Sequence, residues 1–228
     1  MEQLRKSNMP SMIIASSAIS LLCLLLLHFF SPEFEPSWRM VSEYALGNYP
    51  WLVSLFFIFW GLSSLMLATL LWKNVTSKAS KVGVVLLFIS GIGASLAAFF
   101  DVSQSTGHGI AGLLGIPTVP IAALLISYHV SKKPEWVSFA SPIKLLAHGT
   151  WISLVLMVIT MIVMMTGFQN AGVQMGPGMP TPTHVPNGVI AVVGHVNRFL
   201  ILVDLLWLVF VAKAIKTYQL QWVQISKS

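Results

Sequence analysis

The stretch Gly194-His195-Val196-Asn197-Arg198-Phe199-Leu200-Ile201-Leu202-Val203-Asp204 places an arginine and an aspartate inside an apolar run long enough to cross a bilayer. On insertion scales either residue costs roughly 2.5 to 3.5 kcal/mol at the middle of a spanning helix, so such side chains face other helices or a wet cavity and are paired there. Residues three apart lie on neighbouring parts of one helix face, which points His195 and Arg198 the same way. Asn197 and Asp204, seven apart, share a second face about 100° round, and Asp204 sits about 9 Å deeper than Arg198. A bridge between Arg198 and Asp204 within the helix is therefore not expected. Arg198 must reach an acid from another segment, and Glu43 and Asp101 are the acids at its depth. For Asp204 the nearest titratable groups are His129 and His148, and burial alone also favours a protonated carboxyl.

Glu43, Asp101, His108, His195 and Arg198 all fall at one end of the expected helices and together suggest an outward-facing polar pocket. A planar guanidinium pairs well with phosphate or carboxylate, so the pocket would bind a lipid headgroup or a small anion. Two other readings use the same residues. Polar side chains between membrane helices also serve as glue that sets register, which would make this a structural or assembly protein. Asp101, His108, His184 and His195 offer the donor types of a catalytic zinc site, the basis for a metal-dependent lipid hydrolase. No His-Glu-x-x-His pattern supports that, so no metal and no cofactor are assigned. Asp101, Ser103 or Ser105, and His108 have the composition of a serine-hydrolase triad. Met175, Met179 and His184 have the soft donors that suit copper.

The elements that position these residues follow from composition. Of 228 residues 56% are hydrophobic and 9% are charged, which excludes a water-soluble fold. Cys23 is the single cysteine, so a disulfide framework is not available. The net charge of +6 is scattered over short loops, the pattern of membrane topology and not of nucleic-acid binding.

Apolar runs predict six spans at about 12–30, 50–72, 82–100, 109–129, 145–167 and 188–212 in one all-α domain covering residues 1–228. The first run has no small-x-small cleavage site after it and is read as a retained span. Pro117 and Pro120 should kink the fourth span. Gly91, Gly93, Ala94, Ser95, Ala97 and Ala98 should let the third span pack closely on its neighbours. Arg5, Lys6, Lys73, Lys78, Lys81, Lys132, Lys133, Lys144, Lys213, Lys216 and Lys227 lie on one side of this arrangement and Arg39 on the other. The positive-inside rule then places both termini in the cytoplasm of a multi-pass inner-membrane protein. Its expected partners are membrane lipids, with a homo-oligomer or another membrane protein left open.

Ser42-Glu43-Tyr44 followed by Gly47 and Trp51, the Phe100-Asp101 pair, His108 at the start of the fourth span and Arg198 in the sixth carry a resemblance. With these motifs the chain resembles an uncharacterised prokaryotic membrane family, domain of unknown function 998, over nearly its whole length. That resemblance implies a six-span bundle without an assigned activity, distantly similar to DRAM-like membrane proteins. Alkaline-ceramidase-type hydrolases offer a second comparison, but this chain has Arg198 or Phe199 one turn from His195, where those enzymes carry a second zinc-binding histidine. A guanidinium cannot take that role.

Overall fold

The structure is a computed structural model that describes residues 7–173 and 182–225, apart from the side chains of residues 135 and 221–225. Arg5, Lys6, Lys227, Met175 and Met179 lie outside the described residues. Among the described residues the chain forms seven α-helices and no strand. They are α1 (Met9–Phe30), α2 (Pro50–Trp72), α3 (Lys78–Ala97), α4 (Ser105–Gly115), α5 (Thr118–Val130), α6 (Val137–Asn170) and α7 (Val193–Ile225). Met9–Phe30, Pro50–Trp72, Lys78–Ala97, Ser105–Val130 and Val137–Asn170 are each long and apolar enough to cross a membrane. The chain thus has the architecture of a multi-pass membrane protein.

Local chemistry explains most of the boundaries. Pro10 and Pro50 open α1 and α2, where a missing N–H costs nothing. The N–H of Ser31 closes α1 on the Leu27 carbonyl at 2.9 Å, and Pro32 follows. The third helix starts four residues before its expected position because the Ser77 hydroxyl caps it, accepting from the Ser80 N–H at 3.1 Å. The fourth expected span is broken: α4 ends at Gly115 and α5 begins at Thr118, flanking Pro117. The last helix begins at Val193, later than the sequence suggests, and continues into the tail as far as Ile225.

The helices close into a ring, with α1 packed on α2, α2 on α3, α3 on α4 and α5, α5 on α6, α6 on α7, and α7 back on α1. Small residues make the tightest contacts. A Cβ on Gly91 would meet the Gly61 carbonyl at 3.0 Å, and one on Gly93 would meet the Ala111 carbonyl of α4 at 2.8 Å. This close approach of α3 to α2 and α4 is the role expected of its small residues.

The segment between α1 and α2 is an ordered cap. It contains a 3-10 turn at Val41–Leu46 and buries Trp38, Arg39, Val41 and Tyr44. The backbone amide of Val41 donates to the Asn197 side-chain oxygen at 3.1 Å, and the His195 amide donates to the Ser37 carbonyl at 3.2 Å. These bonds dock the cap on the first turns of α7.

Candidate functional site: an arginine hub beside an apolar cavity

Arg198 stands where α7, the end of α1 and the cap meet. Its Nε donates to His28 Nε2 at 2.7 Å, Nη1 to the carbonyls of Arg39 at 2.7 Å and Gly194 at 2.9 Å, and Nη2 to the Tyr44 hydroxyl at 2.8 Å. Four of the five N–H donors of a guanidinium are thereby engaged, all by uncharged acceptors. Tyr44 passes the chain on by donating to the Phe34 carbonyl at 2.9 Å.

The expected ion pair between Arg198 and Glu43 or Asp101 does not form. Glu43 is held by Arg39, four residues earlier, at 3.0 Å. Arg39 also donates to the Pro182 carbonyl and lies over the Trp38 ring at 4.0 Å. The cap therefore brings its own cation for its own acid, and presents α7 with a carbonyl and a phenol. Burial pushes the Glu43 carboxyl above its ordinary range, with Arg39 opposing the shift. Burial likewise raises the Tyr44 hydroxyl, against the pull of Arg198.

Asp101 serves its own turn. It accepts from the Ser103 backbone at 2.7 Å and from the Ser103 hydroxyl, and this bonding holds its carboxyl below the ordinary range. His108 donates Nδ1–H to the Phe100 carbonyl at 2.9 Å. Ser103 thus bonds to Asp101 while His108 turns to a carbonyl, so no Ser-His-Asp relay is assembled. His195 is exposed on the side of α7 that also carries Phe199 and Leu202. Three residues differ by about 60° around a helix, enough to turn His195 outward while Arg198 reaches in. His184 is exposed, its ring 3.3 Å from the Thr183 hydroxyl. Among the described residues no three of His, Cys, Asp and Glu converge, so Asp101, His108, His184 and His195 do not form a common metal site.

Asn197 and Asp204 do share the buried face of α7, at 6% and 0% exposure. The Asn197 amide also donates to the Met157 sulfur at 3.7 Å. Among the described residues neither carboxyl oxygen of Asp204 has a hydrogen-bond partner, so neither His129 nor His148 serves it. The His148 ring instead accepts from Trp151 at 3.1 Å.

Beside the hub lies a cavity of about 260 Å³ bounded by the 3-10 turn, α2, α3, α4 and α7. Phe57, Trp60, Ala94, Ala97, Leu200 and Ile201 supply apolar wall. Glu43, His108 and Asn197 bring polar groups to the lining, whereas Asp101, His195 and Arg198 do not line it. Neither His28 nor Trp60 stands out in the sequence. The signal for the hub was present: Tyr44 adjoins Glu43, and Arg39 is the lone basic residue of its loop.

A bundle of apolar helices tied by a buried arginine, with a cavity opening beneath an ordered cap, defines a polytopic helical membrane protein. Residues 14–214 match the family model described as "Protein of unknown function (DUF998)", and the chain belongs to that family. No curated protein and no solved structure matches the chain, so the likeness to DRAM-like proteins has no support from these comparisons.

Proposed function

We propose that the chain is a six-span protein of the cell inner membrane with both termini in the cytoplasm, and that its cavity holds the headgroup end of a membrane lipid. α7 is the sixth span in this reading. The lysines support the orientation, since Lys73, Lys78, Lys81, Lys132, Lys133, Lys144, Lys213 and Lys216 gather at the end opposite the cap. Lys133 joins two of the basic loops by donating to the Asn74 carbonyl at 3.1 Å.

The cavity carries the functional reading. Its volume lies just under the ~300–1,000 Å³ of ordinary small-ligand pockets, and its mix of apolar wall and few convergent polar groups is typical of them. It sits at the level where lipid heads lie in the outer leaflet. Because the arginine is engaged by protein acceptors, binding rests on Glu43, His108 and Asn197.

The rival is a structural protein, favoured by the number of segments that Arg198 ties together. Lipid mass spectrometry on purified wild type and on Ala97→Trp, which fills the cavity, separates the two. Wild type should retain a defined lipid that the variant loses. Identical lipid profiles from two folded proteins would leave only the structural role.

A further inference from the structure

At the end of the bundle opposite the cap, a cleft of about 220 Å³ lies between α5 and α6. Leu124, Ser127 and Tyr128 of α5 line it on one side, and Lys144, Ala147 and His148 of α6 on the other. At 1.5 Å per residue the 34 residues of α6 run about 51 Å, well past a hydrocarbon core of about 30 Å. The opening turns of α6, and the cleft with them, therefore stand at headgroup level.

The cleft is positive and rich in donors. Lys144 is exposed and makes no hydrogen bond or ion pair with a described residue. His148, four residues on, shares its helix face. The indole N–H of Trp151 donates to His148 Nδ1 at 3.1 Å, and indole is a donor only. The ring hydrogen of His148 is therefore on Nε2, where it serves as a further donor. Tyr128 adds a hydroxyl, and Lys132, just past the end of α5, holds its ammonium 3.8 Å from the Tyr128 ring centre. Among the described residues that line the cleft there is no acid.

An apolar strip continues from the charged end. Seven residues bring a helix back to nearly the same face, with a drift of about 20°. On α5, Ile121 thus follows Tyr128. On α6, Trp151 follows Lys144 and Val155 follows His148. All three of these residues are exposed, at 49%, 40% and 46%. They lie about 10 Å further into the membrane than the residues they follow. Cations at the rim with exposed apolar side chains directly beyond them match the order of head and tail in a phospholipid. A free phosphate would use the rim alone.

We propose that the α5–α6 cleft binds an anionic phospholipid from the leaflet at the basic end, its phosphate held by Lys144, His148 and Lys132 and its acyl chain laid along Ile121, Trp151 and Val155. Basic pockets between membrane helices suit such headgroups. The site rests on the membrane spans assigned above and is separate from the cavity beneath the cap.

The test uses purified full-length protein in an uncharged detergent, titrated with dioleoyl phosphatidylglycerol, dioleoyl phosphatidylcholine and glycerol 3-phosphate, and read by native mass spectrometry and thermal shift. Phosphatidylglycerol should bind and raise the melting temperature, with the other two at least about tenfold weaker. A lysine near a membrane surface contributes about fivefold to binding of an anionic lipid, so Lys144→Gln should weaken phosphatidylglycerol by about that factor. Adding Lys132→Gln should abolish its advantage over phosphatidylcholine, whereas Lys144→Arg should keep it. Lys78→Gln makes the same charge change at the start of α3 and should leave binding unaltered.

Equal binding of the two phospholipids, or an equal loss from Lys78→Gln and Lys144→Gln, would overturn the site, the second by showing diffuse attraction to the basic end. Glycerol 3-phosphate binding as tightly as the lipid would remove the acyl strip from it. Ala97→Trp, which fills the cavity beneath the cap, should retain the preference for phosphatidylglycerol even if the cavity holds no lipid. Loss of the preference in that variant would place the anion in the cavity and sink the cleft assignment.

Discussion

Arg198 donates to His28 across 2.7 Å, and the other nitrogen of the same imidazole lies 2.7 Å from the Leu24 carbonyl. The ring therefore carries its hydrogen on Nδ1 and receives the guanidinium through Nε2. α1 and α7 are joined near the cap by a neutral histidine accepting from an arginine, with two carbonyls and a phenol on the remaining donors.

Arg198→Ala strips three separate segments of a shared donor. Hydrogen bonds to charged groups are worth ~1.5–3 kcal/mol each, and buried acceptors left unpaired add to the loss. The expected result is a destabilisation of roughly 3 kcal/mol or more, seen as a large drop in melting temperature in detergent. Arg198→Lys should fail to rescue it, because a point ammonium cannot reproduce the planar fork. A variant that melts like wild type would mean the hub contributes nothing to the fold.

Gly194→Ala should loosen the cap. A Cβ there would stand 2.7 Å from the Arg39 carbonyl and 2.8 Å from the Trp38 nitrogen, both backbone atoms that cannot swing aside. Overpacking of this kind costs about 1–3 kcal/mol. Limited proteolysis should cut residues 31–40 faster in the variant, while the helices stay intact.

Glu43 and Asp101 tie stability to pH with opposite signs. Burial raises the folded-state value of Glu43, so above its ordinary value of 4.5 the folded protein holds more protons than the unfolded chain, and stability falls as pH rises through that window. Asp101 is lowered by its Ser103 bonds, so its contribution is present above 3.8 and disappears as pH falls below. Melting curves across the acid range should show a maximum between the two, and Glu43→Gln should flatten the high-pH side alone.

Asp204→Val should leave the protein as stable as wild type or more so. Among the described residues both carboxyl oxygens are buried without partners, and replacing such a group by an apolar one of similar shape removes a desolvation cost of about 1–3 kcal/mol. A loss of stability on chemical denaturation would reveal a partner that bonds to Asp204.

Cysteine labelling tests the six-span topology. Cys23 is the single native thiol and is buried, so introduced thiols report alone. Gln104→Cys should react with an impermeant maleimide added outside intact cells lacking an outer-membrane barrier, whereas Lys78→Cys should react only after lysis. The reverse pattern would invert the bundle.

The sequence alone determined that this chain is an all-helical membrane protein, where most of its helices lie, and that it belongs to the family first suggested by Ser42-Glu43-Tyr44, Phe100-Asp101, His108 and Arg198. Those features are local: length and apolarity set a helix, proline breaks one between Gly115 and Thr118, and a serine caps another at Ser77. Which polar groups meet was left to tertiary structure. The list of charged residues pointed Arg198 to an acid, yet the fold gave Glu43 to Arg39 and gave Arg198 a histidine, two carbonyls and a tyrosine. Backbone carbonyls are invisible in a sequence, because every residue has one and only the path of the chain decides where it points. The pairing of Trp60 with Glu43 and His108 around one cavity has the same origin, since residues far apart in the chain share a space only when the ring of helices closes.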